Sequence, residues 1–146
     1  MPQCKDDNNF FKYFKENMED LGLPAPDSLF GTQSTATSTI ATLLGMIDKF
    51  GKSVTVMEVI GAATSLEKLA IVGALSASYY AGAAVGSLAV ATGGYMSCGT
   101  SIGDVLYETF HLGYNQPWIT DHLMKHPEIY RQNMGTRYAY ASRALV

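Results

Sequence analysis

Apolar positions along this chain repeat at helical spacing, and no stretch shows convincing strand alternation between hairpin turns. Over residues 7–21, Phe10, Phe11, Phe14, Met18 and Leu21 form one stripe, with Lys12, Lys15, Glu16, Glu19 and Asp20 elsewhere on the wheel. GLPAPDS stops that helix, since two prolines and a glycine disfavour its continuation. In TQSTATSTIATLLGMIDKFG, Ile40, Leu43, Leu44 and Ile47 fall at i, i+3, i+4 and i+7, and Gly51 is placed as a C-terminal cap. The other side of this helix is hydroxylic, with Thr35, Ser38, Thr39 and Thr42.

Two S/T-x-x-E starts follow, Thr55 to Glu58 and Thr64 to Glu67, in which a hydroxyl and a carboxylate satisfy orphan backbone donors. They predict a short helix over about 55–63 and a long one over about 65–92, with Gly93-Gly94 as the stop. Ile102, Val105, Leu106 and Phe110 predict a further amphipathic helix, with Asp104, Glu108 and His111 off its stripe. Pro117 opens a helix carrying Trp118, Ile119 and Leu123, and Pro127 restarts the chain. The expected fold is all-α: one domain over 1–146, a compact bundle of five to six helices around a long apolar, small-residue-rich central helix. Its parts are an amphipathic helix with a Pro-rich connector (1–27), the glycine-rich helix (65–93), and amphipathic helices with a basic aromatic tail (100–146).

Charge sharpens the picture of the central segment. The 35 residues between Lys68 and Asp104 hold no charge and no histidine, and the 20 between Asp27 and Asp48 are also uncharged. As one helix, the 24 residues Leu69–Thr92 would reach about 36 Å, enough for one crossing of a bilayer core of about 30 Å and too short for two. Ala70, Ala74, Ser78, Gly82 and Gly86 stand four apart and are all small, and Gly73, Ala77 and Ala81 form a neighbouring row. Glycine inside a helix costs about 1 kcal/mol relative to alanine in water, so these glycines need a close-packing reason. A buried helix of a water-soluble bundle and a helix that enters a membrane both supply one.

A net charge of −3 and a pI near 5.5, with dispersed Lys and Arg, give no surface suited to nucleic acid. The mean hydropathy of +0.05 is low for a resident membrane protein. Cys4 and Cys98 lack metal-like spacing, which leaves a single disulfide open. The N-terminal MPQCKDDNNFFKYF has no basic run followed by an apolar one, so no cleaved secretory signal is expected. GTSIG, Gly99 to Gly103, matches a nucleophile elbow at Ser101, but that pattern acts at a strand-to-helix turn, and a loop with a helix N-cap fits this chain better. GMIDKFGKS has five residues between its glycines where a phosphate-binding loop needs four. His122 and His126 share a helix face and could meet one metal, but neither Asp121, Glu128 nor His111 is an obvious third ligand. No enzyme, cofactor or metal is therefore expected.

Small size, GAAVG within an uncharged segment, and the stretches SLEKLAIVGALSASYYAGAAVGSLAVATGG and SCGTSIGDVL make residues 28–130 resemble the glycine-zipper pore-forming effectors of bacterial type VI secretion systems. The resemblance implies an antibacterial toxin made in the cytoplasm and exported on an Hcp-like secretion-tube carrier. Such a toxin depolarises the inner membrane of a rival cell, and a cognate immunity protein protects the producer. The zipper maps onto Gly82 and Gly86, with Gly94 two steps on and Val90 interrupting the repeat. On this expectation 69–93 inserts, Ala70, Gly73, Ala74, Ala77, Ser78, Ala81, Gly82, Gly86, Gly93 and Gly94 serve helix packing, with a homo-oligomer in the membrane, and Thr35, Ser38, Thr39 and Thr42 line an uncharged ion path. The alternative is a soluble helical interaction module whose glycine row packs a tight core.

Overall fold

The computed structural model describes residues 10–93, 101–131 and 134–144. Among them every regular element is helical, beside one isolated bridge between Thr55 and Ser76. There are eight α-helical elements, six of them longer than a single turn. Cys4, Cys98 and Gly94 lie outside the described residues.

α1 (Phe10–Asp20) buries Phe14 and Met18, and it ends where Gly22 turns to φ +83°. There the Gly22 N–H donates to the Glu19 carbonyl and the Leu23 N–H to Met18, closing off the last turn. After the single turn α2 (Asp27–Phe30), the long α3 (Gln33–Phe50) starts on a Thr32 side-chain cap and stops at Gly51, φ +97°. Its buried residues include Ile40, Leu43, Leu44 and Ile47, the predicted stripe. α4 (Val56–Ala62) opens on the expected capping box, Thr55 with Glu58. The accepted bonds from Thr55 hold the Glu58 carboxyl below its ordinary range. The second predicted box does not form: a 3₁₀ stretch, Thr64–Val72, starts from Ala63 with no side-chain cap.

The expected continuous helix over 65–92 is two pieces. The 3₁₀ stretch ends at Val72, and α5 covers only Ala77–Gly93. The break has a non-local cause. Backbone groups of the intervening turn are bonded sideways: Val56 N–H to Leu75 O (2.9 Å), Met57 N–H to Gly73 O (3.1 Å), Ala77 N–H to Val54 O (2.9 Å) and Ser76 N–H to Ala144 O (2.8 Å). Groups so used cannot also join a helical ladder. Gly73 fits beneath Met57, where a Cβ would stand 2.5 Å from the Met57 Cε.

α5 rises about 25 Å over its 17 residues. From Ala77 to Thr92 every residue is buried except Tyr79 and Thr92, which are half-buried. α1, α3, α4, α6, α7 and the turn Pro127–Ile129 all pack on it. Among the described residues no helix is long and apolar enough to cross a membrane.

α6 (Ile102–His111) is capped by Ser101 and Asp104. Its buried stripe turns away from Phe110, which is 51% exposed, and takes Thr109 instead. Thr109 can occupy that place because its hydroxyl donates to the Val105 carbonyl (2.8 Å), leaving no unpaired polar atom. α7 (Pro117–Lys125) has proline in its first turn, as expected. The chain then runs through the short turns Pro127–Ile129 and Arg137–Ala139 into α8 (Tyr140–Arg143). This tail docks on the end of α1, with the Ala141 N–H bonded to Leu21 O (3.2 Å).

Candidate functional site: a strap over the glycine face of the buried helix

The helix break divides the predicted row of small residues. Ala70 lies exposed before the break and Ala74 exposed within it, while Ala77, Ser78, Ala81, Gly82 and Gly86 lie on α5. Ser78 is buried and donates to the Lys52 carbonyl (3.1 Å). Gly93 is the last residue of α5.

Gly82 and Gly86 receive side chains of the same chain. A Cβ on Gly82 would overlap the ring of His122, with Nε2 at 2.7 Å and Cγ at 3.2 Å. One on Gly86 would overlap Ile129 Cγ2 and stand 3.2 Å from Leu123 Cδ2. α7 and the following turn thus lie directly on the glycine face. Together with the tail over 134–144 they form a strap across α5.

Polar contacts fasten the strap at two places. At the first, His122 Nε2 is 2.7 Å from the Tyr140 hydroxyl, which donates to the Tyr79 carbonyl of α5 (2.6 Å). A carbonyl only accepts, so the hydroxyl hydrogen is engaged there and Nε2 must carry its own hydrogen toward Tyr140. Neutral His122 is therefore the Nε2–H tautomer. The rings of Tyr79 (4.9 Å), His126 (4.5 Å), Tyr140 (6.1 Å) and Trp118 (6.4 Å) surround it, centroid to centroid. Burial pushes His122 down to about 3, with the His126 and Lys125 charges adding to the shift and Asp121 opposing it. Burial also raises the Tyr140 hydroxyl well above its ordinary value.

At the second, Asn17 of α1 is fully buried and uses its whole amide. Nδ2 donates to Ser87 Oγ of α5 (2.7 Å) and to the Ile129 carbonyl of the strap (2.8 Å), while Oδ1 accepts from Arg137. Arg137 also donates to the Glu128 carbonyl (3.0 Å) and to Asp20 Oδ2 (3.2 Å). The buried Glu128 carboxylate takes Arg143 (2.9 Å) and faces His126 Nδ1 (3.3 Å), linking the two fastenings.

The hydroxyls of α3 bond locally. Thr39 is buried and donates to the Leu29 carbonyl (2.7 Å), Thr35 accepts within the Thr32 cap, and Thr42 donates to the carbonyl of exposed Ser38 (3.1 Å). Ser101 Oγ donates to Asp104 (2.9 Å), so GTSIG runs into a helix start. Among the described residues no three His, Cys, Asp or Glu side chains converge as a metal site requires.

Sequence reasoning missed Asn17, Arg137 and Tyr140, and weighed Glu128 only as a metal ligand. Asn17 had a signal, since it stands three after Phe14 and four before Leu21, on the buried stripe of α1. The other three lie on short turns with no period to read. Compared with known proteins, the chain matches no family model, no curated protein and no solved structure.

Proposed function

We propose that this chain is an antibacterial pore-forming toxin, folded in water around α5 and inserting its glycine-rich segment, 69–93, into the inner membrane of a target cell. The observation that carries the reading is that a helix without a single charged residue is wrapped on every side by amphipathic helices. Such a helix can be carried through water and then exposed, and few charges oppose its entry into lipid. α5 alone is shorter than the roughly 20 residues a crossing needs, so insertion joins the preceding turn to it and frees the lateral bonds at 73–77. In this reading the resemblance to type VI glycine-zipper effectors supplies the route: an Hcp-like carrier, a cognate immunity protein in the producer, and a homo-oligomer in the target membrane.

The test is potential collapse in vesicles of phosphatidylethanolamine and phosphatidylglycerol, read with a voltage-sensitive dye. Leucine at Gly82 or Gly86 is a poor control, because it would displace His122 or Ile129 and disrupt the fold itself. Ala74 is exposed, so Ala74→Asp preserves the fold yet carries a carboxylate into the inserting segment. We expect depolarisation by the parent, a several-fold loss in Ala74→Asp, and unchanged thermal unfolding. Equal activity of the two would refute insertion of 69–93.

A second reading, a helical protein-interaction module, is favoured by the seating of Gly82 and Gly86 on their own chain. That seating gives the glycines a sufficient role within the monomer. It predicts no depolarisation at any pH.

A further inference from the structure

His122 of α7 and His126 at its C-cap stand four apart, and the sequence offered them no obvious third metal ligand. The fold uses them differently: the His122 ring fills the notch at Gly82, and its Nε2–H holds the Tyr140 hydroxyl, which in turn holds the α5 backbone at Tyr79. This junction joins α5, α7 and α8 through one imidazole. We propose that it is a proton-operated fastening: uptake of a proton at His122 Nδ1 releases the strap, residues 117–131 and 134–144, from the glycine face of α5.

The surroundings give the imidazolium little to stabilise it. From α5 it faces Tyr79, whose ring is 4.9 Å away, and from α8 Tyr140, already a donor to a carbonyl. At the C-cap of its helix stands the ring of His126, 4.5 Å away and a like charge when protonated. Asp121 is the carboxylate on α7, and it is exposed and paired with Lys125 (2.9 Å). From the turn after α7, Glu128 is engaged by Arg143 and His126. The closed strap thus holds His122 neutral, while an open strap returns it to water.

The direction with pH follows. A histidine pushed down to about 3 when covered, and near 6.5 when free, binds more protons in the open state. Opening therefore grows as pH falls below 6.5 and stops growing below about 3. Between pH 7 and pH 5 the opening constant rises about 25-fold from this one group. What an opened strap does at a membrane rests on the toxin reading above; the fastening itself does not.

The experiment is hydrogen exchange on the full chain from pH 7 to pH 5, reporting protection factors for Pro117–Lys125 and Arg137–Arg143. Three chains are compared: the parent, His122→Gln, and His111→Gln on the exposed face of α6. Glutamine keeps a donor near the place of Nε2 and cannot titrate. The expected result is strap opening that rises about 25-fold in the parent and in His111→Gln, and stays nearly flat in His122→Gln. The same pH dependence in all three overturns the proposal. Should His122→Gln fail to fold, the NMR titration of the parent's His122 ring decides. Proton uptake that coincides with lost strap protection supports the fastening, and uptake under a strap still protected overturns it. Vesicle depolarisation over the same pH range separates the two readings. Strap opening without depolarisation supports the fastening and refutes the toxin; depolarisation with a closed strap does the reverse.

Discussion

Alanine at Gly82 sets two terms against each other, and the structure decides between them. In a helix interior the change gains about 1 kcal/mol of propensity. Against it, the new Cβ would stand 2.7 Å from His122 Nε2 and 3.2 Å from Cγ, with the ring enclosed by Tyr79, Trp118, His126 and Tyr140. The ring cannot withdraw without opening its bond to Tyr140, a loss of about 1 kcal/mol beside an overpacking cost of about 1–3 kcal/mol. The net expectation is destabilisation by about 1–3 kcal/mol. Gly45 of α3 is the control, since nothing lies within 4 Å of where a Cβ would stand, and Gly45→Ala should stabilise by about 0.5–1 kcal/mol. Urea unfolding followed by far-UV circular dichroism measures both. If Gly82→Ala is as stable as Gly45→Ala, α7 does not sit on this face of α5 and the strap is wrong.

The remaining expectations concern the ends of helices and the second fastening. Thr55→Ala and Ser101→Ala each remove a capping box and should cost about 0.5–2 kcal/mol in urea unfolding. A Ser101→Ala variant of unchanged stability would contradict its place as a cap. Asn17→Ala strips partners from Ser87, the Ile129 carbonyl and Arg137 together, and should cost about 3 kcal/mol or more in the same assay. A loss under about 1 kcal/mol would show that this network does not hold the strap.

What could be read from the sequence was local. The stripes of α1 and α3, the Gly51 stop, the Thr55 box and the proline start of α7 each depend on residues within a turn or two of one another. The long helix over 65–92 failed because its breaker is elsewhere: Val54, Val56, Met57 and Ala144 take the backbone bonds of 73–77. Phe110 was misplaced because Thr109 competes for the same face and satisfies its hydroxyl on Val105. The site was harder still. Asn17 and Arg137 meet across a separation of 120 residues, and no periodic pattern reports such a pairing. The spacing of His122 and His126 did signal a shared face, though not that it would lie on a glycine.

Releasing the strap and releasing α5 are different events. The strap covers one face, where Gly82 meets His122 and Gly86 meets Ile129, while α1, α3 and α6 continue to cover the others. Asn17 couples the faces: the same amide that holds the Ile129 carbonyl also holds Ser87, so a departing strap leaves α1 still bonded to α5. On the fastening proposed above, proton uptake at His122 uncovers the face of Gly82 and Gly86 while α1 stays in place. On the toxin reading, insertion of 69–93 needs α1 to leave as well, which requires breaking the Asn17–Ser87 bond in a further step. The order is testable in the same exchange data, because protection in 117–131 and 134–144 must be lost before protection in Phe10–Asp20.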